Sequence, residues 1–162
     1  MTTLLRELCD AIGVSGDEDA VRDLILNAIR DHVTDIRIDA MGNVLAVRRG
    51  TGAADLRVMA AAHMDEVGLM VKGFDSDGTI RFAAVGGLDP RILPGTRVLV
   101  GPDRVPGVIN WAPIHLNSSE RTVGIERLRI DIGASSRDSA QDAASPGDRI
   151  AFDSHLVELG PT

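Results

Sequence analysis

The chain opens with Leu4, Leu5, Leu8, Ala11 and Ile12 at helical spacing, and Gly13 follows where a helix C-cap would sit. A short first helix is predicted. Ser15 and Glu18 have the Ser-x-x-Glu spacing of a capping box, and Val21, Leu24, Ile25, Ala28 and Ile29 then form one apolar stripe. This predicts a second helix running to about His32. The period then shortens: Ile36, Ile38, Val44 and Val47 flank Met41-Gly42-Asn43 and read as a hairpin. Leu56 to Ala62 is almost continuously apolar and ends at His63, the pattern of a strand buried on both faces of a helix-covered sheet. Two helices, a hairpin and a buried strand together predict an α/β layer.

After Gly68 the texture changes. Short strands are predicted around Leu69–Phe74, Thr79–Ala83, Arg97–Val100, Val105–Ile109, Arg127–Ile130 and Arg149–Phe152, with a helix over Ser136–Ala144. Asp77-Gly78, Gly86-Gly87, Pro94-Gly95, Gly101-Pro102 and Pro146-Gly147-Asp148 supply the turn chemistry between them, at the spacing of a small barrel or sandwich.

The 44% hydrophobic and 25% charged residues are those of a folded globular protein, long enough for one domain or two small units. Aromatic residues make up only 2%, so the core must be aliphatic and there are no stacking platforms for bases or sugars. The net charge of -7 opposes nucleic acid and anionic membranes as partners. Val58–Ala62, the longest apolar stretch, is far short of a membrane span. A single cysteine, Cys9, cannot form an internal disulfide, and the N-terminus lacks a basic region followed by a long apolar run. The expected address is cytoplasmic, and Cys9 is expected in the core.

The most informative chemistry is Ala62-His63-Met64-Asp65-Glu66. A histidine leaving the C-terminal end of a buried strand sits where open α/β sheets place their ligands. His63 offers an imidazole for zinc or cobalt. Asp65, two residues on, lies on the same side of an extended backbone and is placed to orient the imidazole or a nearby catalytic carboxylate. By spacing alone, His63 also reads as a buried histidine satisfied by backbone, because His-x-Asp is not a closed ligand set. Asp65 and Glu66 point to opposite faces of an extended chain, which argues against the converging carboxylates of glycoside hydrolysis. His32 reads as a helix-end residue, His155 as exposed, and His115 as part of a loop after Trp111.

Several stretches together resemble one family. Gly13-Val14-Ser15-Gly16-Asp17-Glu18, Asp39-Ala40-Met41-Gly42-Asn43 and Ala62-His63-Met64-Asp65-Glu66-Val67-Gly68 match in order the tetrahedral, or glutamyl, aminopeptidases, metallopeptidase family forty-two, also labelled cellulase-like endoglucanases. Val85-Gly86-Gly87-Leu88, Leu93-Pro94-Gly95, Gly107-Val108-Ile109, Pro113 with His115, Asp131-Ile132-Gly133-Ala134 and Pro146-Gly147-Asp148 continue the series. Asn110 departs from the pattern, which usually has Gly there.

The resemblance implies a zinc-peptidase-like catalytic layer, here partial, interrupted by a PDZ-like or barrel-like β insert that helps subunits assemble. The expected divisions are 1–68 for the catalytic part, 69–152 for the insert and 153–162 for the return to the catalytic domain. His63 is then a metal ligand and Asp65 the acid supporting the catalytic centre. The family's metal-bridging Asp, general-base Glu and final Asp and His ligands lie beyond the equivalent of Thr162. The chain is therefore expected to be an N-terminal portion of a dinuclear zinc or cobalt aminopeptidase, inactive alone, acting on peptides when completed. Self-association, or a full-length or second-half partner, is expected. The alternatives are a non-catalytic oligomerisation module and a truncated remnant.

Overall fold

A computed structural model describes residues 2–52, 56–111 and 124–160. His115 and Pro113 lie outside the described residues. The described chain divides into two compact units, 1–65 and 66–162.

The first unit holds helices α1 (Thr2–Asp10) and α2 (Asp19–Ile29) and a two-stranded antiparallel hairpin, β1 (Asp35–Ile38) and β2 (Val44–Val47). The hairpin forms where the apolar alternation and the Met41-Gly42-Asn43 turn place it. The capping box does not form. Glu18 is the N-cap residue of α2 without a side-chain cap, and its Oε1 instead accepts the Gly16 N–H at 2.6 Å. Gly13 is not a C-cap either, since α1 ends at Asp10. A Cβ on Gly13 would lie 2.7 Å from Val21 Cγ2 and 3.2 Å from the Met64 carbonyl oxygen, so the glycine permits a close backbone approach.

Two further expectations fail in this unit. Leu56–Ala62 is not a strand: it forms no sheet ladder among the described residues, and Leu56, Val58 and Met59 are largely exposed. Burial on both faces requires flanking strands and helix cover, and the hairpin beside this segment supplies neither. A groove of about 610 Å³ lies between Met59–Ala62 and β1–β2. Cys9 is exposed rather than core. Leu8 is half-buried, and the next residue is turned roughly 100° around the helix, away from that stripe.

The second unit is a closed six-stranded antiparallel barrel in the order β3-β4-β7-β6-β5-β8. Its strands are β3 (Gly68–Phe74), β4 (Ile80–Val85), β5 (Arg97–Val100), β6 (Val105–Asn110), β7 (Arg129–Asp131) and β8 (Arg149–Phe152). Period-two alternation drives closure, because inward positions from all six strands fill a small barrel with aliphatic side chains. Leu69, Val71, Ile80, Val98, Val100, Ile109, Ile130 and Ile150 are essentially inaccessible to solvent. Leu93 and Leu128, next to short 3-10 turns, and Ala140 and Ala144 of helix α3 (Arg137–Ala143) and its C-cap complete the core. Here a capping box does form, with Ser136 as N-cap and Ser139 at the third helical position. Gly78 and Gly101, in the β3–β4 and β5–β6 turns, have φ of 89° and 68°. The chain is thus mixed α/β with a closed β barrel and a small two-stranded sheet. Among the described residues no helix is long and apolar enough to cross a membrane.

Candidate active site

The site lies wholly in the first unit. His63 follows the 56–62 segment with its side chain 85% exposed. Its Nδ1 is 2.8 Å from the Asp65 backbone oxygen and 3.0 Å from Asp65 Oδ1. Two oxygen acceptors at one ring nitrogen favour the tautomer with the proton on Nδ1, which leaves the lone pair on Nε2. A neutral imidazole with its second nitrogen held by a carboxylate is the form in which histidine binds a metal ion.

Asp65 is half-buried and held from two sides. Ser15 Oγ donates to Asp65 Oδ2, while Oδ1 faces His63. The Ser15 hydrogen bond, followed by that of His63, holds the Asp65 carboxyl below the usual aspartate range. Both interactions favour the ionised acid, so Asp65 remains an acceptor near neutral pH. Sequence reasoning missed Ser15, whose Ser-x-x-Glu spacing points to a helix cap, because its partner is 50 residues away.

A groove of about 400 Å³ opens beside this trio, lined by Glu18, Ile29, Met41, Asn43, His63 and Asp65 among others. The hairpin turn forms part of its lining, and Asp39 closes that turn by accepting the Met41 N–H at 2.9 Å and the Asn43 N–H at 3.0 Å through Oδ1. Among the described residues no group of three or more His, Cys, Asp or Glu side chains converges as a metal site. The donor set fits one corner of a zinc or cobalt coordination sphere, an imidazole oriented by a carboxylate, whereas catalytic zinc takes three protein ligands. His32 and His155 are exposed. His155 Nε2 lies 3.5 Å from Asp153 Oδ1, in the other unit.

The model of the family described as M42 glutamyl aminopeptidase matches residues 42–162. A putative aminopeptidase of Acetivibrio thermocellus is 35% identical over 162 residues, all of this chain and 47% of that protein. Among solved structures, an aminopeptidase from the archaeon Desulfurococcus kamchatkensis superposes with a TM-score of 0.90 at 35% identity, covering 98% of this chain and 44% of that one. The TET1 peptidase of Pyrococcus horikoshii, described as assembling into a tetrahedron or a large octahedral shell, matches with a TM-score of 0.81 at 34% identity, covering 95% of this chain and 47% of that one. The chain spans about half the length of the relatives it matches. With the family model matching residues 42–162 and a 35% identical relative aligned along the whole of this chain, the chain belongs to the M42 glutamyl aminopeptidases.

Proposed function

We propose that this chain is the N-terminal portion of a metal-dependent aminopeptidase that removes N-terminal residues from peptides, with His63 as a metal ligand and Asp65 as the acid that orients it. The observation that carries the reading is the disposition of His63: Nδ1 against Asp65, Nε2 open, on the wall of a groove. In this reading residues 1–68 belong to the catalytic domain, 69–152 form an insert and 153–162 begin the return. A bound zinc or cobalt pair would supply a water that loses its proton near neutral pH and so becomes nucleophilic toward a peptide carbonyl. His63 would hold one ion through Nε2, and Asp65 would fix the ring.

Among the described residues His63 is the one imidazole at this groove, where a catalytic ion needs three protein ligands, so further donors have to complete the site. We propose that the chain by itself shows no turnover. A second reading is self-association, which rests on a relative described as a tetrahedral or octahedral assembly. A reducing cytoplasmic setting suits the lone exposed Cys9.

The test is hydrolysis of a panel of aminoacyl-p-nitroanilides by the purified chain, with zinc or cobalt added and a chelator control. Absence of turnover from a folded sample is expected. Chelator-sensitive turnover that disappears in His63→Ala would refute inactivity while supporting the ligand assignment. Turnover unchanged by His63→Ala would overturn the site.

A further inference from the structure

We infer that Ser15 is a positioning residue, whose hydroxyl locks the Asp65 carboxylate in the orientation that holds His63 as the Nδ1–H tautomer. Its functional meaning rests on the proposed role of His63 as a metal ligand through Nε2. The two carboxylate oxygens of Asp65 have different partners, since Oδ2 accepts from Ser15 Oγ and Oδ1 faces His63 Nδ1 at 3.0 Å, where it adds to the Asp65 backbone oxygen 2.8 Å from the same nitrogen. The terminal torsion of an aspartate is broad and two-fold, so nothing intrinsic to the side chain fixes which way the carboxylate turns. With Asp65 40% exposed, water can replace a lost partner at either oxygen. The Ser15 donor is what removes this freedom.

Ser15 is itself placed by backbone geometry. The Asp17 N–H donates to the Val14 carbonyl at 2.7 Å, Gly16 takes φ of 85°, and Glu18 Oε1 accepts the Gly16 N–H. Val14 is fully buried beside it. Gly13, where a Cβ would fall 2.7 Å from Val21 Cγ2 and 3.2 Å from the Met64 carbonyl oxygen, lets this turn lie close against the 63–65 segment. The tight turn therefore delivers one hydroxyl to one carboxylate oxygen. A cap-forming serine would have turned toward the helix instead.

The test uses the whole chain labelled with nitrogen-15, at about pH 8.5, where histidine is ordinarily neutral. Long-range proton–nitrogen spectra read the tautomer of each imidazole, and His63→Ala identifies the His63 signals. The wild type is expected as the Nδ1–H form. Ser15→Ala is expected to move His63 toward the Nε2–H form that neutral histidine favours in water, and Ser15→Thr, which keeps the hydroxyl, to restore the wild-type pattern. Zinc titrated against the His63 resonances is expected to bind on the order of tenfold more weakly in Ser15→Ala, with recovery in Ser15→Thr. Should Ser15→Ala unfold the first unit, Ser15→Cys, a weaker donor of similar size, carries the same expectation.

An unchanged His63 tautomer in a folded Ser15→Ala or Ser15→Cys protein overturns the inference, whatever zinc does. A tautomer that shifts as expected, with no zinc effect at His63 in the wild type, upholds the Ser15 role and sinks the ligand assignment on which its function rests. The two failures are thus separate readouts.

Discussion

Arg22 Nε donates to the carbonyl oxygen of Gly42 at 2.9 Å, tying helix α2 to the turn of the β1–β2 hairpin. The same guanidinium pairs with Asp19, and its side chain is only 16% exposed. Gly42 has φ of 85°, and a Cβ there would fall 2.7 Å from Arg22 Nη2. The arginine tip can move aside, so the backbone conformation sets the cost. Gly42→Ala should destabilise the first unit by about 1–2 kcal/mol. Hydrogen exchange of the hairpin amides measures it, and an unprotected hairpin in Arg22→Lys would show that the Nε donor, too, is needed.

Gly78 and Gly95 separate strain from crowding. Both are left-handed, with φ of 89° and 83°. A Cβ on Gly95 meets nothing within 4 Å, whereas one on Gly78 would lie 2.6 Å from the Ala134 carbonyl oxygen and 3.0 Å from the Ser136 nitrogen. Backbone atoms cannot swing away. Gly95→Ala should cost about 1–2 kcal/mol, and Gly78→Ala about 1–3 kcal/mol more. Urea midpoints of the barrel transition give the comparison, and equal midpoints would refute it.

Ile130 pairs with both Ile80 and Ile109, and all three are fully buried. Ile130→Ala should lower barrel stability by about 2–5 kcal/mol through lost burial and the cavity left behind. Val108, on the neighbouring strand but 38% exposed, provides the contrast. Val108→Ala should shift the urea midpoint much less.

Acid should loosen the hairpin turn. The Asp39 carboxyl is held below 3.8, chiefly by the Asn43 side-chain and backbone donors and then by Met41. A carboxyl depressed in the folded state contributes stability that is present above its unfolded value and lost as pH falls through the folded one. The loss should begin near 3.8 and continue below it. Asp89, held at about 2 by Arg91, should release its 3-10 turn between 3.8 and about 2. Amide shifts followed down the pH scale test both. Asp39→Asn should flatten the acid response of the hairpin while leaving that of the Asp89 turn in place.

Ser15 and Ser136 show what local pattern can and cannot say. Ser136 forms a capping box and Ser15 does not, although Ser15 has the more regular Ser-x-x-Glu spacing. In the first case every partner lies within one helical turn. In the second, a long-range carboxylate competes for the hydroxyl. Leu56–Ala62 makes the same point for strands, since its composition predicts burial that no described neighbour provides.

The sequence by itself determined the barrel strands, the hairpin, α3 and the His63-x-Asp65 motif, because alternation, turn glycines and adjacent side chains are local properties of the chain. Tertiary structure alone decided the closure order of the barrel, the exposure of Cys9 and 56–62, the close approach at Gly13, and the capture of Asp65 by Ser15. Each of these depends on which distant backbone or side chain comes within reach. The free energy of a contact is set by its partners in space, and sequence spacing specifies those partners only within a turn or a strand pair.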